Sequence, residues 1–122
     1  MVGNQATYFT RTSEKMIRTI VIRPKASLDI DDCFVFIAQN NEAAALRFFD
    51  AVRQTYANLA RMPGMGMVYC SPSNQHSDLR KWPVKGFRSY LIFYRTHETE
   101  IEIVRVLSTS RDIDQILESD LN

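Results

Sequence analysis

The stretch LRKWPVKGFRSYLIFYRTHETEIEIVRVL, residues 79–107, decides the fold. It holds three short runs dense in β-branched and aromatic residues, separated by punctuation too brief for anything but tight turns. Leu79 to Val84 carries Leu79, Trp82 and Val84 and ends at Lys85-Gly86, a turn dipeptide. Arg88 to Arg95 (RSYLIFYR) reads as the second strand. After Thr96-His97-Glu98, the run Glu100 to Leu107 alternates and then becomes apolar throughout. Connections this short make the runs an antiparallel meander. Its middle strand is apolar on both parities, with Tyr90, Ile92 and Tyr94 on one and Leu91 and Phe93 on the other. A sheet with one wet face alternates more cleanly. The second face therefore expects a cover: a partner's segment, or the chain's own N-terminal arm or terminal helix.

Upstream, residues 65–78 read as a loop broken by Gly66, Ser71, Pro72, Ser73 and Asn74. Before it lies the clearest helix, Glu42 to about Arg61, where Ala45, Phe48, Val52, Tyr56 and Leu59 hold helical spacing between Asn41 and Pro63-Gly64. An earlier helix places Ala26, Ile30, Cys33 and Ile37 on one face, widened by Phe34 and Phe36. Ser27 is its expected N-cap, with Asp29, Asp31 and Asp32 near the positive end of the helix dipole. The short break at Asn40-Asn41 folds the two helices into an antiparallel hairpin. The run IRTIVIR, residues 17–23, stops at Pro24 and reads as a first strand. Residues 1–16 carry little periodicity and read as a loose arm. Downstream, Ile113, Ile116 and Leu117 predict a short terminal helix. The order is strand, helix, helix, three strands, short helix. This is an α+β domain over residues 17–122, a helical hairpin on one face of a small antiparallel sheet.

The composition agrees with one globular domain: 122 residues, 45% hydrophobic, 24% charged, with only 4 Gly and 4 Pro. No apolar run approaches the roughly 20 residues that cross a bilayer, and the polar N-terminus lacks the apolar core of a secretory signal. Two cysteines, Cys33 and Cys70, are too few for a disulfide framework or a zinc site, and no metal or cofactor is expected. The chain reads as cytoplasmic. Its net charge of +1 argues against bulk nucleic-acid binding. The distribution says more: Arg80, Lys81, Lys85, Arg88, Arg95, Arg105 and Arg111 face only Glu98, Glu100 and Glu102 over the same stretch. A basic surface on the C-terminal third follows.

Several of these residues carry two readings. Trp82 is a core-packing tryptophan or a binding hot spot. Arg95 is free or pairs with Glu98 or Glu100 across the turn. Arg105 lines the open sheet face or is held by a carboxylate such as Asp112. Asp112 itself caps the terminal helix or anchors an arginine. Met62, Met65 and Met67 form a soft contact surface or simply pack their loop. His76 and His97 lie in loops.

The pieces, taken in order, resemble the ParE branch of the RelE/ParE toxin superfamily over about residues 20–118. They are Ala26 with Asp29-Ile30, Phe36-Ile37-Ala38, Ala44-Ala45 with Phe48, and Leu59 with Pro63 and Gly66. Then come Leu79-Arg80, Gly86-Phe87 with Tyr90-Leu91-Ile92 and Tyr94-Arg95, Ile103-Val104-Arg105-Val106-Leu107, Arg111-Asp112 and Ile116-Leu117. Two departures stand out. Ser108-Thr109-Ser110 replaces a His-Gly-Ala-type stretch, and the N-terminal extension through Lys15 is longer than usual.

The resemblance implies a toxin of a type II toxin–antitoxin pair, of the kind tied to plasmid stabilization, that poisons DNA gyrase by binding and has no catalysis of its own. Target contacts implied on the basic side are Arg80, Lys81, Trp82, Arg88 and Arg111. RelE-type relatives instead cleave mRNA on the ribosome, which needs an acid, a base and cations around one phosphate. Lys81, Arg88 and Arg111 match basic positions of that site. A tyrosine expected near Leu117 is missing, and one of the two basic positions on the first meander strand is apolar here, Leu79. A non-toxic homologue serving operator regulation is a third reading. The implied partner is a cognate antitoxin whose disordered C-terminal segment folds onto the toxin, within a possible higher-order hetero-oligomer. Its expected contacts are Phe34, Phe49, Tyr94, Arg95 and Arg105 on the hairpin and open sheet face.

Overall fold

The computed structural model describes residues 16–73 and 78–121, so the expected arm before Met16 and His76 lie outside the described residues. The elements are β1 (Thr19–Ile22), α1 (Pro24–Ala38), α2 (Glu42–Arg61), a 3-10 turn (Pro63–Met65), β2 (Met67–Val68), β3 (Arg80–Val84), β4 (Phe87–Thr96), β5 (Glu100–Ser108) and α3 (Ile113–Leu121). The α+β hairpin-on-sheet architecture stands, and the sheet is larger and mixed: five strands in the order β1-β5-β4-β3-β2. β1 runs parallel to β5, with Thr19 opposite Glu100 and Ile22 opposite Ile103. Nothing in the lengths of the connections reveals that pairing, because β1 meets its partner across most of the chain. β2 lies inside the expected loop and exists through Met67 opposite Lys81 and Val68 opposite Arg80.

Pro24 has two local effects. It ends β1 and opens α1 at N1 or N2, where its missing N–H is one of the helix's unsatisfied donors anyway. The N-cap is therefore Arg23 in extended conformation, and Ser27, expected at the cap, sits inside the helix. α2 opens conventionally, with the Asn41 side chain accepting from the Ala44 N–H at 2.9 Å.

Both parities of β4 are buried, each against a different layer. On the hairpin side Ile92 and Tyr94 join Ala26, Ile30, Phe48, Val52, Leu59, Ile101, Ile103 and Val106. Phe48 lies edge-on to Phe87 and Tyr90, with centroids 5.2 and 5.0 Å away. On the other side Phe93 packs with Tyr69, Leu79, Val104, Leu107 and Leu117, joined by Leu91, Ile113 and Ile116. The second apolar face is thus covered by α3, one of the covers the sequence left open. Each fully buried side chain of this size contributes about 1.5–3 kcal/mol relative to exposure, so α3 is held by its apolar stripe as well as by polar ties.

Two irregularities shape the surface. Pro83 pairs with Leu91 and Val84 with Phe87, which leaves Arg88, Ser89 and Tyr90 bulged out of the β3–β4 ladder. On β5 the step from Ile103 to Arg105 opposite Tyr94 and Phe93 makes Val104 an extra residue.

Candidate functional site

β1 makes its last bond to β5 where Arg23 N–H donates to Ile103 O. Beyond that point β5 needs another partner, and Asp29 of α1 supplies it. Its carboxylate accepts from the Val106 N–H at 3.0 Å and from Arg105 Nε and Nη2 at 2.7 and 2.8 Å. Arg105 Nη1 donates to Asp120 of α3, which also accepts from Lys25 Nζ at 2.9 Å. The hydrogen bonds that Arg105 donates to Asp29 raise its pKa further, outweighing burial. Burial pushes Asp120 upward, but the bonds from Lys25 and Arg105 prevail and hold it below its ordinary value. Arg105, expected at the antitoxin interface, is the half-buried tie between α1, β5 and α3, and it lines a surface hollow with Arg95 and Lys25. Asp112, one candidate to hold it, accepts from the Gln115 N–H and caps α3.

Tyr94 is withdrawn from any partner, at 0% exposure. Its hydroxyl donates to Pro63 O at 2.6 Å and accepts from the Gly66 N–H at 2.9 Å. A Cβ on residue 66 would run into that hydroxyl, so only glycine admits the ring there. Arg80 Nη1 donates to Gly66 O at 2.6 Å, so this expected target contact also pins the 63–66 segment. Arg95 pairs with Asp78 at 3.2 Å and with Glu102 at 3.9 Å, and not with Glu98 or Glu100. His97 Nε2 lies 2.9 Å from the same Glu102. The ladder brings Glu102 opposite Arg95, a register that sequence distance conceals.

Trp82 is half-buried against the hairpin-side core and lines a hollow of about 420 Å³ with Asn58, Met65, Lys85 and Arg88. Arg111 lines a different hollow, of about 280 Å³, with Cys33, Phe36 and Tyr90. Lys81, opposite Phe93, belongs to the α3 side of the sheet. Arg88 and Arg111 are exposed and Lys81 is half-buried. None of the three has an ion-pair partner among the described residues. The Cys33 thiol in the second hollow is pushed up to about 11, by burial first and then by Asp29 and Asp32, so it is protonated and unreactive at neutral pH. Among the described residues no group of three His, Cys, Asp or Glu is placed to hold a metal ion, and no helix is long and apolar enough to cross a membrane.

The hairpin's outer side is apolar beyond what the core uses. Phe36, expected to widen the buried stripe, is 62% exposed, and Leu28, Val35 and Leu46 are nearly as open. Phe34 and Phe49 meet edge to face across the two helices at 6.3 Å. Sequence reasoning missed Leu28, Val35 and Leu46 as surface residues. Their signal was present: they fall off the Ala26–Ile30–Cys33 and Ala45–Phe48–Val52 stripes.

The described residues thus form an α+β domain with an apolar ridge on its helices and cations without ion-pair partners beside shallow hollows. Residues 20–113 match the family model of the ParE toxin of type II toxin–antitoxin systems (parDE), and the chain belongs to that family. The matched residues end where α3 begins. No curated protein matches it significantly. Among solved structures it is similar in fold to a chain described as the chromosomal ParDE TA system from P. aeruginosa. The TM-score is 0.59 at 16% identity, over 78% of this chain and 97% of that one.

Proposed function

We propose that this ParE-type toxin arrests growth by binding DNA gyrase and trapping it on cleaved DNA, within the cytoplasm. The observation that carries this reading is the dispersal of its free cations. Arg88 sits at the Trp82 hollow, Arg111 at the Cys33–Tyr90 hollow, and Lys81 on the α3 side of the sheet. Ribonuclease chemistry needs such groups to converge with an acid and a base on one phosphate. Binding needs only that they be unpaired and accessible. With Arg80 engaged by Gly66, the target contacts narrow to Lys81, Trp82, Arg88 and Arg111.

A cognate antitoxin neutralises the toxin by folding a C-terminal segment onto the hairpin. The exposed Leu28, Val35, Phe36 and Leu46, with Phe34 and Phe49, suit the apolar stripe of an amphipathic helix. Tyr94 is fully buried, while Arg95 and Arg105 are ion-paired and line a separate hollow with Arg23 and Lys25, which stays a candidate contact.

The test is induction of this chain in a bacterial host, scoring DNA damage and translation side by side. The expected result is filamentation and a DNA-damage response, relieved by a resistant gyrase and by the antitoxin. Rapid translation arrest with mRNA cut at the ribosome would contradict it.

A further inference from the structure

Lys85-Gly86 forms the two-residue turn between β3 and β4, with Gly86 at φ 79°. Next to it, the bulge at Arg88–Tyr90 opposite Pro83 swings Arg88 out of the ladder and over the Trp82 hollow. A second hollow shares Lys85 and Gly86 and continues past the turn to Arg47, Asp50 and Gln54 on α2. The two hollows meet at the turn, where both are lined by Lys85 and Gly86. Arg47, Lys85 and Arg88 line them against a single acid, Asp50, and none of these cations has an ion-pair partner among the described residues.

The floor is chemically specific. Trp82 is the chain's one tryptophan. Its indole N–H and the Asn58 side-chain amide make no hydrogen bond among the described residues. Thr55 Oγ1, also in the lining, is already engaged, accepting from the Lys85 N–H and donating to Ala51 O. An aromatic platform, a free amide and a line of unpaired cations are together what a base and its flanking phosphates require. An acidic protein segment would use the same cations, so polyglutamate serves as the competing probe.

We infer that these two hollows bind a single-stranded nucleic-acid segment, with a base against Trp82 and phosphates on Arg88, Lys85 and Arg47. The site is distinct from the hairpin ridge offered to the antitoxin. It shares Trp82 and Arg88 with the contacts proposed for gyrase, is read without gyrase by direct titration, and involves no cleavage step.

The lone tryptophan makes the site directly readable. The purified full chain is titrated with a ten-residue oligodeoxythymidylate while Trp82 fluorescence is followed. Quenching is expected, with binding about 20-fold weaker at 200 mM than at 50 mM salt for three phosphate contacts on a single strand. Lys85→Gln combined with Arg88→Gln, checked for folding by circular dichroism, reduces the logarithmic salt slope from about −2 to about −0.7. Arg53→Gln, which removes a cation from a different hollow beside Phe49, leaves binding unchanged. Absence of quenching at millimolar oligonucleotide in 50 mM salt overturns the proposal. So does an equal loss from Arg53→Gln, which would mean general charge attraction. Equal quenching by polyglutamate would assign the hollows to an acidic protein segment instead.

Discussion

A carboxylate at 5% exposure survives only where its lone pairs find donors, and Asp29 finds the Val106 N–H and two guanidinium nitrogens of Arg105. Replacing it strands a half-buried arginine and an unpaired strand N–H together. Asp29→Ala is expected to lower unfolding free energy by about 3–5 kcal/mol, read as a shifted urea midpoint at unchanged slope. A loss under about 1 kcal/mol would show that the network does not hold these elements together. Asp120 gives the same network a pH dependence. Its folded pKa is depressed below the ordinary 3.8. Its contribution is therefore complete above that value and disappears as pH falls through the folded pKa. The melting temperature should drop as pH is taken below about 4, and Asp120→Asn should flatten part of that drop. An unchanged acid profile in the variant would remove Asp120 from the account. At this scale the sequence was least legible. That Arg105 is held by some carboxylate was readable, but the partners lie 76 and 15 residues away, and Asp112 was the nearer, mistaken candidate.

Elements were legible where one periodicity ruled a long segment. α2 follows from its stripe and from Asn41 and Pro63 at its ends, and its bounds agree with the reading. β4 followed from its β-branched and aromatic density. Ambiguity arose where one residue served two elements, as Pro24 does, and where a strand exists only through its neighbour, as β2 does. The two apolar parities of β4 correctly required a second cover without saying which. α3 provides it, tied by hydrogen bonds from Tyr69 to Asp114, from Ser71 and Ser73 to Glu118, and from Arg105 and Lys25 to Asp120. Burial and the bond to Asp114 together raise the Tyr69 pKa, so the hydroxyl keeps its proton for that tie. Deleting residues 113–122 should expose Leu79, Leu91, Phe93 and Leu107. The truncated chain is expected to bind the dye ANS and to aggregate, while the full chain does neither as strongly. Equal dye binding by both would mean that α3 does not shield that face.

Across the whole molecule a net charge of +1 conceals a division of labour. Arg80, Arg95 and Arg105 are engaged within the chain, while Lys81, Arg88 and Arg111 have no ion-pair partner among the described residues. Sequence composition counts these cations alike; only the register of β3, β4 and β5 separates them. Among the described residues no layer covers the apolar ridge of the hairpin, a surface suited to the proposed antitoxin. The most direct test of the central claim uses purified gyrase, supercoiled plasmid and ATP with this chain added. Accumulation of gyrase-linked, double-strand-cleaved DNA is expected, abolished by prior addition of the antitoxin and weakened by Arg88→Gln with Arg111→Gln. Undiminished supercoiling without cleaved DNA, alongside mRNA cleavage on ribosomes by the same preparation, would contradict it.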